Sequence, residues 1–146
     1  IGNQKNKDRF MIKQKEFAKR RRHLMEIAGE GAVIILCSAA QKVRNNDANY
    51  PYRQDSDFLY LSGFSEPESV IVLIPQENGG QSFLFCRERD RHRELWDGTM
   101  IGLEGAVDDF GFDQAFPIPE MKQRLPRLLR GRERVFYDLG KDPEFD

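Results

Sequence analysis

Residues able to do chemistry concentrate in Asn45 to Phe58, NNDANYPYRQDSDF, where Asp47, Arg53, Gln54, Asp55 and Asp57 are interleaved with Tyr50, Tyr52 and Phe58. Carboxylates recur at Glu66, Glu68, Asp108 and Asp109. Carboxylates are the residue type for acid–base work or metal ligation, but pairs on turns mostly serve as solvated caps. An RNase-H-like metal nuclease would need four acids converging at strand ends. The order of elements permits that arrangement, and nothing specific in the sequence asks for it. No GxSxG occurs, and Cys37 and Cys86 each close an apolar run, the setting of a buried core thiol. His23 and His92 are the only histidines and no CxxC is present, so a zinc site has no basis. Gly79-Gly80 lies in a hairpin connection, not between a strand and a helix, so no phosphate loop is read there. On these residues the chain lacks a self-sufficient active site.

Binding is the chemistry that remains. The polar and aromatic loop before Phe58, stiffened by Pro51, is the kind of segment that a rigid scaffold holds out for recognition. The plainer reading packs Tyr52, Phe58 and Tyr60 into the core, with Arg53 and an Asp tying the loop down. Trp96, beside Asp97-Gly98, reads either as a contact residue or as a core anchor beneath its helix. The basic run Lys13 to His23, with Arg20, Arg21 and Arg22 in a row, reads as the wet face of an amphipathic helix rather than a nucleic-acid patch.

The elements that must position these residues follow from periodicity. Met11 to Ala28 is helical, with Phe17, Leu24 and Ala28 on one side. AVIILC (32–37) is a central strand, and DFLYLSG (57–63) and SVIVLI (69–74) are two more. PQENGGQ turns the chain into SFLFC (82–86), which pairs antiparallel with the strand before it. ERDRHRELWDG is a short charged helix, and the stretch from Thr99 to Pro117 is loop-rich with a short strand near Gln114 to Phe116. A helix with Met121, Leu125, Leu128 and Leu129 inward follows, kinked or split at Pro126, and ERVFYDLG is a last strand. The fold class is α/β: a single domain with a mixed sheet of five or six strands flanked by helices. Residues 1–10 read as a polar leader and 11–146 as the domain.

At 146 residues, 39% hydrophobic and 32% charged with a net charge of −1, the chain suits one globular domain. Its apolar runs are far short of the ~20 residues that span a bilayer. No apolar leader precedes the first helix, and a disulfide between Cys37 and Cys86 would need neighbouring strands, so a reducing, cytoplasmic setting is expected.

Two long strings, NDANYPYRQDSDFLYLSGFSEPESVIVLIP and FCRERDRHRELWDGTMIG, closely resemble the N-terminal domain of aminopeptidase P, of the creatinase/prolidase family. EFAKRRRHLME and VFYDLG resemble it too, so the likeness runs from about Lys15 to Asp146. The resemblance implies a non-catalytic α/β unit with a mixed sheet. Its partner would be a pita-bread catalytic domain outside this chain, where two Asp, one His and two Glu hold two Mn²⁺. The parent reaction removes the first residue of a peptide whose second residue is proline. No catalytic or metal residue is therefore assigned here. Two positions carry over: Asp47 matches an acidic position near the mouth of the active site, and Trp96 matches a Trp that reaches a neighbouring subunit's active site. A homo-oligomer, dimer or tetramer, is implied, with neither membrane nor nucleic acid as partner. The alternative is a non-catalytic, peptidase-like interaction module.

Overall fold

The structure, a computed structural model, describes residues 3–40 and 52–137. Helix α1 (Asn3–Ala28) leads into β1 (Ala32–Cys37), and α2 (Ser56–Ser62) precedes the β2 (Val70–Ile74) and β3 (Gln81–Cys86) hairpin. Helices α3 (Arg91–Asp97) and α4 (Gly102–Asp108), strand β4 (Gln114–Pro117), helix α5 (Met121–Leu129) and strand β5 (Arg134–Tyr137) complete the order. The sheet runs β4-β3-β2-β1-β5, antiparallel across β1–β2 and β2–β3 and parallel at β1–β5 and β3–β4. It is a mixed α/β sheet of five strands, within the five or six that the sequence predicts.

Both faces of this sheet are covered, which is why its strands are continuous apolar runs. Ile34, Ile71, Leu73, Leu84 and Cys86 meet Met25 of α1, Phe58 of α2, Phe64, Ala106 of α4 and Phe112 on one face. Val33, Ile35, Cys37, Val72 and Phe85 pack with Met121, Leu125 and Leu128 of α5 on the other. Cys37 and Cys86 thus lie on opposite faces, on strands separated by β2, and no disulfide joins them.

Four sequence expectations change. Helix α1 begins at Asn3, so the polar leader is helical from that point. Asp57 to Gly63 is helix rather than strand. Asp55 Oδ2 accepts from Phe58 N at 3.0 Å, and Gly63, at φ 70°, donates back to Leu59 O. These two caps override the β preference of the aromatics between them, and Phe58, Leu61 and Ser62 face inward at helical spacing. Helix α4 emerges from a stretch read as loop, because Gly102 and Gly105 lower its intrinsic propensity. Helix α5 passes Pro126 without splitting, held by its buried apolar face.

The basic run is also more than a wet face. Lys13, Lys15, Lys19, Arg22 and His23 are exposed, but Arg21 is 1% exposed. One turn from both Phe17 and Met25, it must point inward. Its guanidinium donates to Leu61 O at 2.9 Å and to Phe110 O at 3.0 Å and lies 4.2 Å from the Phe112 ring centroid. Burial lowers its pKa to about 10, with Asp113 opposing, so it stays charged at neutral pH. The cation thereby neutralises carbonyls where α2 and α4 end.

Two predictions follow from this packing. A Cβ on Gly63 would overlap the Phe17 ring at a backbone angle disfavoured for L-residues. Gly63→Ala should therefore lower urea-unfolding stability by roughly 2–4 kcal/mol, and a loss below ~0.5 kcal/mol would contradict this packing. Burial pushes the Cys86 thiol up to about 12. A raised folded value means stability is intact below pH 9 and declines as pH climbs toward 12. Between pH 9 and 10, stability should fall more steeply in the wild type than in Cys86→Ala, by up to about 1.4 kcal/mol per pH unit. Equal slopes would show that the thiol ionises freely in the fold.

Candidate functional site

Gln54, 9% exposed, sits just ahead of α2. Its Oε1 accepts from Ala39 N and Asp55 N, both at 2.9 Å, and its Nε2 donates to Phe64 O at 3.2 Å and Glu66 O at 3.0 Å. Both lone pairs and both protons of the carboxamide are used. The Tyr52 hydroxyl donates to Ala39 O at 2.6 Å and stands 2.9 Å from Gln54 Oε1. Burial raises the pKa of this phenol.

Glu66 continues the network. Its Oε1 pairs with Arg87 Nη2 at 3.1 Å, and its Oε2 accepts from Ile101 N at 2.7 Å, at the start of α4. Helix α3 is fixed at its own base: Asp90 Oδ1 caps His92 N and Arg93 N, and Glu94 holds Arg89 at 2.8 Å and Met100 N at 3.4 Å. From this anchored helix Leu95 and Trp96 project, 81% and 88% exposed. In this chain Trp96 is therefore not a core anchor.

The sequence candidates do not gather into one centre. Asp47 lies outside the described residues. Asp55 is a helix cap, Asp57 is exposed in the first turn of α2, Glu68 lies 4.0 Å from Arg93, and Asp109 ends α4. Among the described residues no three His, Cys, Asp or Glu side chains converge as metal ligands would. The dinuclear manganese centre implied for a partner domain thus finds no fit in these residues. Among the described residues Cys86 is fully buried with its thiol harder to ionise, while His23 and His92 are exposed. Among the described residues no helix is long and apolar enough to cross a membrane. A groove of about 590 Å³ between α1 and α2 is walled by Arg20, Leu24, Ile27, Leu36 and Tyr60. Its exposed wall is mainly apolar, and Glu16, Lys19, His23 and Asp57 also line it.

Sequence reasoning missed Gln54 as a hub. Its partners sit up to 15 residues away, and no local pattern announces them. What the arrangement can do is tie Ala39, Tyr52 and Asp55 to the turn at Glu66 and, through the Glu66 carboxylate, to Arg87 and the start of α4.

The family model for the aminopeptidase P N-terminal domain matches residues 17–137. The Xaa-Pro aminopeptidase of Escherichia coli is 39% identical over 131 residues, covering 89% of this chain and 30% of that protein. The structure of the Pseudomonas aeruginosa aminopeptidase PepP superposes with a TM-score of 0.84 at 50% identity, covering 91% of this chain and 30% of that one. Zinc-substituted E. coli aminopeptidase P in complex with product gives the same TM-score at 38% identity, with 90% and 30% covered. This chain therefore spans about a third of the length of these relatives, and it belongs to the aminopeptidase P N-terminal domain family.

Proposed function

We propose that this chain is the non-catalytic N-terminal domain of an Xaa-Pro aminopeptidase, shaping substrate access and oligomer contacts for a catalytic domain that it does not itself contain. The observation that carries the reading is the α3 tip. A short helix anchored by Asp90, Arg89 and Glu94 presents a large aromatic and a leucine almost entirely to solvent. Rigid backbone beneath an exposed Trp is the build of a contact hot spot. The occupant assigned to it is the parent enzyme's own catalytic domain or a neighbouring subunit of a dimer or tetramer, with Trp96 near the bound peptide. Asp47 takes the acidic position at the channel mouth.

The parent reaction in this reading is hydrolysis of the bond before a proline in second position. Proline's nitrogen carries no hydrogen and its ring fixes φ, so ordinary strand-like substrate binding fails and a dedicated channel is needed. Metal chemistry, two Mn²⁺ in this reading, belongs to the catalytic domain, and the compartment we assign is the cytoplasm.

The test uses the protein extended to the length of its relatives. It should release the first residue from peptides with proline second, whereas the 146-residue chain alone should release none. Trp96→Ala and Asp47→Ala should each raise KM or lower kcat several-fold with the unfolding midpoint unchanged. Unaltered kinetics would remove either residue from the site. An extended protein without hydrolytic activity that still bound a partner through Trp96 would favour the interaction-module reading.

A further inference from the structure

Helix α3 is not held in place by a buried face. Of its described side chains, Arg91, His92, Arg93, Leu95 and Trp96 are exposed, and Glu94 alone is half-buried. Seven residues do not stay helical in water by propensity, and most short helices in a domain are fixed by packing an apolar stripe. Neither Leu95 nor Trp96 belongs to either core cluster. The orientation of the α3 tip therefore rests on polar ties, and those ties converge on one side chain.

The Glu94 side chain is 16% exposed, and its carboxylate reaches past both ends of its own helix. Ahead of α3 it takes the Arg89 guanidinium in a two-pronged pairing, Nε to Oε1 at 2.8 Å and Nη2 to Oε2 at 3.2 Å. Such fork-to-carboxylate geometry is the kind that fixes direction as well as distance. Beyond α3, Met100 N donates to Glu94 Oε1 at 3.4 Å. Both anchors are themselves seated in the domain. The Arg89 stem lies so close to Gly102 that an added Cβ would meet Arg89 Cγ at 2.5 Å. Met100 is 3% exposed, and the next amide, Ile101 N, donates to Glu66 Oε2 at 2.7 Å. Glu66 in turn pairs with Arg87, just beyond β3, at 3.1 Å. Between α3 and Met100 stands Gly98, at φ 87°, where an added Cβ would meet no atom within 4 Å, so packing does not wedge the turn at that point.

We propose that Glu94 is the positioning residue of the α3 tip: by tying Arg89 to Met100 across the helix, it holds Trp96 in the orientation in which Trp96 meets its partner. The consequence for substrate binding rests on the access reading, whereas the mechanical role does not. Ion pairs near the surface add little to global stability, so the effect of this one lies in local order rather than in folding. A fixed Trp96 spares the ordering cost that a loose helix would add to binding. Loss of Glu94 therefore weakens binding more than it slows chemistry.

Trp96 is the only tryptophan of the chain, so its fluorescence reports this tip alone. In the 146-residue chain, Glu94→Ala should raise the amplitude of the sub-nanosecond anisotropy decay of Trp96 about twofold. The unfolding midpoint should stay within about 2 °C of wild type. Alanine is the stronger helix former, so the loosening cannot come from lost helix propensity. An unchanged decay would overturn the proposal. A larger fall in the midpoint would overturn it too, because Glu94 would then be a general stabiliser. Arg89→Met keeps a stem against Gly102 and removes the guanidinium, and it should loosen Trp96 in the same direction. A wild-type decay in that variant would contradict the tie. In the extended protein, Glu94→Ala should raise KM several-fold with kcat within about twofold of wild type. The double variant Glu94→Ala, Trp96→Ala should match Trp96→Ala alone. Penalties that add in the double variant would overturn the proposal, since Glu94 would then act otherwise than through Trp96. A loosened Trp96 with unchanged KM would instead overturn the access reading and leave the positioning role standing.

Discussion

At the foot of α2 the backbone donors of Ala39 and Asp55 and the acceptors of Phe64 and Glu66 lie in buried or part-buried positions, and the Gln54 carboxamide is what satisfies them. An unpaired buried amide costs a large part of a small domain's net stability, so this requirement constrains everything nearby. It fixes where α2 begins, because Asp55 must present its amide to Gln54 while its side chain caps Phe58. It fixes the turn at Phe64 to Glu66, whose carbonyls take the two amide protons. Through Glu66 it reaches the start of α4. A single side chain thus sets the relation between two helices, one turn and the hairpin.

The rest of the architecture follows from a sheet buried on both faces. Helices α1, α2 and α4 cover one side and α5 the other, and each contributes an apolar stripe rather than a broad face. Where α1, α2 and the end of α4 meet, carbonyls converge with too few donors, and Arg21 supplies the missing protons from within the core. Burying an arginine is costly unless its charge is stabilised. Here two carbonyls and the Phe112 ring provide that stabilisation. Because the core elements are held this firmly, helix α3 can carry Leu95 and Trp96 outward without loosening the domain.

Much of this could be read from the residues in order. The runs AVIILC, VIVLI and SFLFC announce buried strands, and the Asn-Gly-Gly between the last two announces their turn. Helix α2 could not be read from the aromatics, whose alternation imitates a strand. Its identity lies in the flanking Asp55 and Gly63, two small signals against the β preference of Phe58 and Tyr60. Arg21 hid inside a basic run, although its spacing from Phe17 and Met25 puts it on the buried face. Trp96 drew attention by its chemistry, whereas its exposure is a property of the tertiary structure. Gln54 gave no sign at all, because the bonds that define it close only when the chain has folded.

The central claim is that the α3 tip of this domain meets either substrate or a second polypeptide surface. The most direct measurement places a photoreactive benzoylphenylalanine at position 96 of the full-length protein, irradiates it with and without a proline-second peptide, and maps the adducts by mass spectrometry. The account predicts adducts to the peptide or to residues of the catalytic domain or a neighbouring subunit, lost when the protein is unfolded. Irradiation that leaves the folded protein without any such adduct, with or without peptide, would contradict it.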